Sequence, residues 1–213
     1  MKIAFYTVCE LPVAVIDEYY DNRACDRIWQ ELCFLNNDQG KLLNPTATGS
    51  ALDLTTGVPL KRNHGIDLES VYADHAISNI LRENKKLFRD ELTDQLMENH
   101  AFFRYLRGDP ENSTLVQYYE NGDHYKKHTD GAVITAITFF YQGPKSFSGG
   151  NLIFEDKLQI DCGYNRTVIF PSILFHAVES VSISSSLVGQ NFGRYSITQF
   201  VGNPIGDQLI QQR

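Results

Sequence analysis

The second half of the chain limits the fold most. From Asn112 onward, short β-rich runs follow one another with turn residues between them. The runs are 114–119, 133–141, 151–154, 158–160, 166–170, 173–181 and 191–201, punctuated by Asn121-Gly122, Gly143-Pro144, Gly149-Gly150 and Gly163. Parallel strands need crossovers of about a dozen residues or more. These gaps carry no intervening helices, so the strands are expected to close as a jelly-roll sandwich.

The first half reads differently. Residues 3–16 alternate loosely as one or two strands, and Asp21-Asn22 offers an N-cap for a helix through Leu32 with Ile28, Trp29, Leu32 and Cys33 as its buried stripe. Residues 72–106 return to three- and four-residue apolar steps, from Ile77 through Leu96 to Phe103, and predict one or two supporting helices. Between them, Asn36 to Gly65 loses periodicity, and compact domains keep such stretches mainly for function. The expectation is a mainly β fold with supporting helices: a double-stranded β-helix, or jelly-roll, core at 112–202, helical support at 1–111, and a tail at 203–213, all one domain. A lid is expected at 46–67, with Gly49, Gly57 and Gly65 as flexible points and Lys61, Arg62 and His64 as polar contacts.

Composition narrows the partners. A formal net charge of −7, with no clustered Lys and Arg, opposes a phosphate-backbone ligand, so nucleic acid is not expected. The apolar run at the N-terminus soon meets Glu10 and is too short for a signal-peptide core or a membrane span, which predicts a cytosolic protein away from membranes. Cys9, Cys25, Cys33 and Cys162 lack metal-site spacing and are read as reduced and mostly packed.

Chemistry concentrates at two places. In His128-Thr129-Asp130, an imidazole and a carboxylate two residues apart leave the same face if the segment is extended. His176 follows inside the apolar run Phe170–Val178, where a lone histidine is more often a hydrogen-bonded core residue. Two imidazoles and one carboxylate together match the facial triad of non-haem iron(II) oxygenases. In Gly193–Phe200, alternation places Arg194, Ser196, Thr198 and Phe200 on one face. An arginine turned into a β-rich core requires an anion, whether a structural carboxylate or the distal carboxylate of 2-oxoglutarate.

The segment Tyr119-Glu120-Asn121-Gly122-Asp123-His124-Tyr125-Lys126-Lys127-His128-Thr129-Asp130 resembles the Y-x-x-G-x-x-Y-x-x-H-x-D signature of the prolyl hydroxylase-like 2-oxoglutarate oxygenases. The resemblance continues in the family's order through Thr135–Tyr141, Ser148–Leu152, the Phe170-Pro171 run into His176, and the arginine strand, over roughly residues 112–202. It implies Fe(II) on His128, Asp130 and His176, with 2-oxoglutarate anchored by Arg194 and assisted by Tyr119 and Thr198. Dioxygen is then the oxidant and ascorbate a possible reductant, and the outcome is hydroxylation of a C–H bond with succinate and CO2 as co-products. Asp130 favours hydroxylation, because halogenating relatives lack that carboxylate. The sequence departs from the family at Phe200, where many members have Trp, and at Phe139, near where some place a second tyrosine.

The resemblance puts a prolyl residue in a peptide or protein first among substrates. A free amino acid or other small molecule would need a second carboxylate anchor, for which Arg104 and Arg166 are the nominees. The rival classes are a cupin-like metalloenzyme that does not use 2-oxoglutarate, against which Arg194 counts, and a silent binding module with no need of all three ligands. His124 is four residues from His128 at a variable position of the signature, and His64, His75 and His100 lack acidic partners at ligand spacing, so none joins the site.

Overall fold

The computed structural model describes residues 1–36 and 41–202, so the tail expected at 203–213 lies outside the described residues. A large antiparallel sheet runs in the order β1 (Lys2–Val8), β2 (Leu11–Asp17), β11 (Arg166–Pro171), β7 (Ile134–Phe140), β14 (Arg194–Val201), β5 (Asn112–Tyr119) and β4 (His64–Asp67). A smaller one has the order β10 (Leu158–Ile160), β9 (Leu152–Phe154), β12 (His176–Val178), β6 (His124–His128) and β3 (Lys61–Arg62). A short pair, β13 (Ser182–Ile183) and β8 (Phe147–Ser148), completes the mainly β jelly-roll fold.

Every residue of β7 is buried, as expected for a central strand covered on both faces. One apolar cluster, including Phe139, Leu152, Phe154 and Phe170, fills the inner sandwich. A second, including Ile28, Leu32, Phe103 and Tyr195, packs helices on the outer face of the large sheet. Complete burial of a side chain such as Ile28 or Leu32 stabilises by roughly 2 kcal/mol.

Helix α1 (Asn22–Leu35) starts where the cap residue predicts: the Asp21 carboxylate accepts from the Ala24 N–H at 2.8 Å. Its buried face is Ala24, Cys25, Ile28, Glu31, Leu32 and Leu35, so Trp29 and Cys33 flank the expected stripe, and Trp29 meets Tyr195 edge-on at 5.6 Å. Glu31 escapes an apolar-pattern reading because its carboxylate is satisfied, accepting from the Ser78 hydroxyl at 2.7 Å and the Ile80 N–H at 2.9 Å. Those bonds tie α1 to the start of α2 (Asn79–Asn84), which leads through a 3-10 turn to α3 (Asp90–Asn99). Ile77 lies just before this helix and is exposed rather than part of its stripe.

Several expectations need correction. The run 173–181 is extended only as β12, because residues 172–175 turn before it. β3, β4, β6, β8 and β13 were not expected as strands; the two-residue β3, β8 and β13 have too few positions for period-two alternation to register, and β6 exposes Lys126 and Lys127. Within the 46–67 segment expected as a lid, 61–62 and 64–67 are sheet strands. Gly65 is packed, its backbone so close to Val116 that an added Cβ would lie 3.0 Å from that carbonyl oxygen. What remains is 46–60, carrying a small hairpin bridged at Leu52 and Pro59. Cys9 is exposed, while Cys25 and Cys162 are buried. Among the described residues no helix is long and apolar enough to cross a membrane.

Candidate active site

His128 is the last residue of β6 and His176 the first of β12, and the two are direct partners across the small sheet. Their rings stand 4.3 Å apart. Asp130 lies beyond the end of β6 rather than on a shared strand face, and its N–H donates to the Ser172 carbonyl at 3.0 Å. The Thr135 hydroxyl donates to Asp130 Oδ2 at 2.7 Å and lies 2.8 Å from the Ser172 hydroxyl, which fixes the carboxylate from the large sheet.

Each histidine has one nitrogen committed to the backbone. His128 Nδ1–H donates to the Lys126 carbonyl at 2.7 Å and His176 Nδ1–H to the Leu174 carbonyl at 2.9 Å. With those protons assigned, both Nε2 atoms carry lone pairs, and they face Asp130 oxygens at 3.6 and 3.4 Å. One ligand atom from each of the three residues lies within 4.8 Å of the others. Burial, reinforced by His176, pulls the His128 imidazole down to about 4, so it is neutral at neutral pH. Burial opposes ionisation of Asp130, while the Thr135 hydroxyl, donating to Oδ2, favours the charged carboxylate. Three converging electron-pair donors with no proton between them fit a divalent cation, and two nitrogens with one carboxylate fit iron(II).

Arg194 is fully buried at the start of β14, its guanidinium carbon 4.6 Å from the ring centre of Tyr119 and 4.8 Å from that of Phe139. Among the described residues, all three guanidinium nitrogens lack a hydrogen-bond partner. Isolated buried charge is costly enough that this group demands an anion. Phe139 gives the guanidinium a second aromatic face. Two glycines permit the close packing: a Cβ on Gly193 would lie 2.2 Å from the Tyr119 carbonyl oxygen, and one on Gly150, at φ +71°, 2.8 Å from Arg194 Cδ. Burial pushes the Tyr119 phenol up to about 12 against the pull of Arg194, so it stays a neutral donor.

The triad, Arg194, Tyr119 and Thr198 all line one cavity of about 800 Å³ between the sheets. Alternation accounts for the floor: Gln117 and Tyr119 of β5 sit beside Arg194, Ser196 and Thr198 of β14. Gln117 was missed by the sequence reading although it precedes Tyr119 by two residues, and its buried amide nitrogen has no partner among the described residues. Lys61, expected as a polar contact of a mobile cover, lines the cavity from β3, a two-residue strand that gives no periodic signal. The nominees for a second carboxylate anchor are elsewhere: Arg166 binds Asp17 at 2.6 Å, Arg104 rests over Tyr105, and neither lines the cavity. His124 hydrogen-bonds locally at Gly122, His64 and His75 are exposed, and His100 caps the following turn through Phe102.

Residues 114–202 match the model of the 2OG-Fe(II) oxygenase superfamily. A PKHD-type hydroxylase of Prochlorococcus marinus is 28% identical over 121 residues, covering 52% of this chain and 52% of the relative. One from Crocosphaera subtropica is 35% identical over 90 residues, covering 36% of this chain and 40% of the relative. The chain thus spans about half the length, or less, of the curated relatives it matches. Among solved structures, a Pseudomonas putida prolyl-4-hydroxylase superposes with a TM-score of 0.58 at 15% identity, over 90% of this chain and 92% of its own. A viral collagen prolyl hydroxylase from Paramecium Bursaria Chlorella virus-1, in its 2OG complex, gives 0.53 at 12% identity, over 89% and 94%. Residues 114–202 are thus similar to the 2OG-Fe(II) oxygenases, and the fold is the one seen in the prolyl hydroxylase structures.

Proposed function

We propose that this protein is a 2-oxoglutarate- and Fe(II)-dependent dioxygenase that hydroxylates a C–H bond, with a prolyl residue of a peptide or protein as the first candidate acceptor. The observation that carries the reading is the buried, unpartnered Arg194 guanidinium in the same cavity as the His128, Asp130 and His176 cluster. His128 Nε2, His176 Nε2 and an Asp130 oxygen would hold the metal. Arg194 would grip the distal carboxylate of 2-oxoglutarate through paired hydrogen bonds, with Tyr119 and Thr198 as further donors. When bound, iron and 2-oxoglutarate supply the oxidation, in which dioxygen is consumed, 2-oxoglutarate leaves as succinate and CO2, and a C–H bond gains oxygen.

The protein's own part is placement and exclusion of water. Thr135 and the Ser172 carbonyl hold Asp130 in position, and the Lys126 and Leu174 carbonyls set the histidine tautomers. Apolar Ile137, Val178 and Phe200 line the cavity and limit water around the reacting bond. The prolyl acceptor is supported by the motif resemblance and by the hydroxylase names of the relatives. Purified protein with iron(II), 2-oxoglutarate and prolyl peptides is expected to yield succinate and a peptide heavier by one oxygen atom in mass spectra. Absence of 2-oxoglutarate binding in a titration would instead favour the cupin-like class.

Residues 46–60 would serve as the cover, since Thr48 to Ala51 already line the cavity and the Ala51 N–H donates to the Tyr125 hydroxyl at 3.0 Å. Their amide hydrogen exchange is expected to slow when 2-oxoglutarate and acceptor bind; unchanged exchange removes this role.

A further inference from the structure

Two cationic side chains line the cavity among the described residues: Arg194 from the large sheet and Lys61 from the small one. Lys61 is only 4% exposed, which is rare for a lysine. It sits opposite Tyr125 in the β3–β6 pairing, and the Tyr125 ring stacks on His128 at 3.5 Å, so Lys61 is one layer from the metal-ligand cluster. Its ammonium donates to the Thr48 carbonyl at 3.3 Å and lies 5.9 Å from the centre of the Tyr125 ring. No carboxylate of the described residues comes within the 4.0 Å of an ion pair, and Asp130 is the acid that faces it. An ammonium has three N–H donors, and a single carbonyl is poor compensation for burying it.

The charge balance points the same way. With 2-oxoglutarate, a dianion, and iron(II), a dication, in place, their charges cancel, and the buried wall carries Arg194 and Lys61 against Asp130. Glu111 lines the cavity too, but at its solvent-exposed rim. One positive charge is left over, and a neutral acceptor would leave it uncompensated in a low-dielectric site. Resting on the function proposed above, we propose that Lys61 binds a carboxylate of the acceptor itself, so that the substrate is a free amino acid or a peptide ending at the hydroxylated residue. Burial draws the Lys61 ammonium down to about 8, with Asp130 opposing, so the cation persists at neutral pH. This supplies the second anchor that Arg104 and Arg166 cannot.

The test is calorimetric binding to protein carrying 2-oxoglutarate and Mn(II) in place of iron, with L-proline, N-acetyl-L-proline and glycyl-L-proline, each compared with its carboxamide. Carboxylates are expected to bind at least about tenfold more tightly than carboxamides, as a charge-assisted hydrogen bond in a buried site implies. Lys61→Met should abolish that preference while 2-oxoglutarate affinity stays within about threefold, and Lys61→Arg should retain most of it. Preference for L-proline alone assigns the free amino acid, and preference for the acylated compounds alone assigns a peptide C-terminus; either supports the proposal. Equal binding of carboxylate and carboxamide, a preference surviving in Lys61→Met, or no saturable carboxylate binding overturns it. Failure of wild type to bind 2-oxoglutarate would instead overturn the oxygenase reading.

Discussion

The two polar centres of the cavity are finished differently. At the triad, His128 and His176 spend one nitrogen each on backbone carbonyls, and Asp130 is held by Thr135 and the Ser172 carbonyl. At Arg194, aromatic faces supply the contacts and every guanidinium nitrogen is left without a partner among the described residues. The first centre is pre-shaped by its own protein and needs a cation only to fill it. The second is completed only by its ligand, so the same residue that would give affinity is a burden on the empty protein.

That contrast can be broken at either centre. The largest effect is expected from His176→Ala, which removes one of three ligands. Iron(II) affinity should fall by more than the roughly 100-fold upper range seen for outer-shell partners, with activity falling alongside; full iron affinity in a metal titration would refute the assignment. Next, Arg194→Met should weaken 2-oxoglutarate binding by on the order of 2–5 kcal/mol, leave iron binding nearly unchanged, and leave the unliganded protein as stable as wild type or more so. A large loss of stability in urea would mean that Arg194 has an internal role.

The third effect is smaller and concerns acid. His128 titrates near 6.5 when unfolded and at about 4 in the fold. Its protonation is therefore easier in the unfolded chain, so its penalty is absent above pH ~6.5 and grows as pH falls toward ~4. Metal-free protein should lose on the order of 3 kcal/mol across that window, and His128→Gln should flatten the slope. A wild-type urea midpoint that does not move between those pH values would show that the imidazole is not desolvated.

The legible parts of the molecule were those with a long period or a string-like motif. Strand alternation over Arg194, Ser196, Thr198 and Phe200 placed four cavity residues on one face, and all four line it. The helix start at Asp21 was readable because capping is a local event between neighbours in sequence. The strands β3 and β4 were not, because their pairings depend on partners far along the chain.

By itself, the sequence determined the order and identity of the chemically able residues His128, Asp130, His176 and Arg194, since ligand type and strand period are properties of the chain alone. Whether they could act together was decided by tertiary structure, which pairs His128 with His176 across two strands and brings Thr135 onto Asp130. Tertiary structure also sent Arg166 to Asp17 and turned Lys61 into the cavity. The physical reason is that the work a charged side chain can do is set by burial and by the partners left within reach of it. Both are sums over segments distant in sequence, which no local pattern contains.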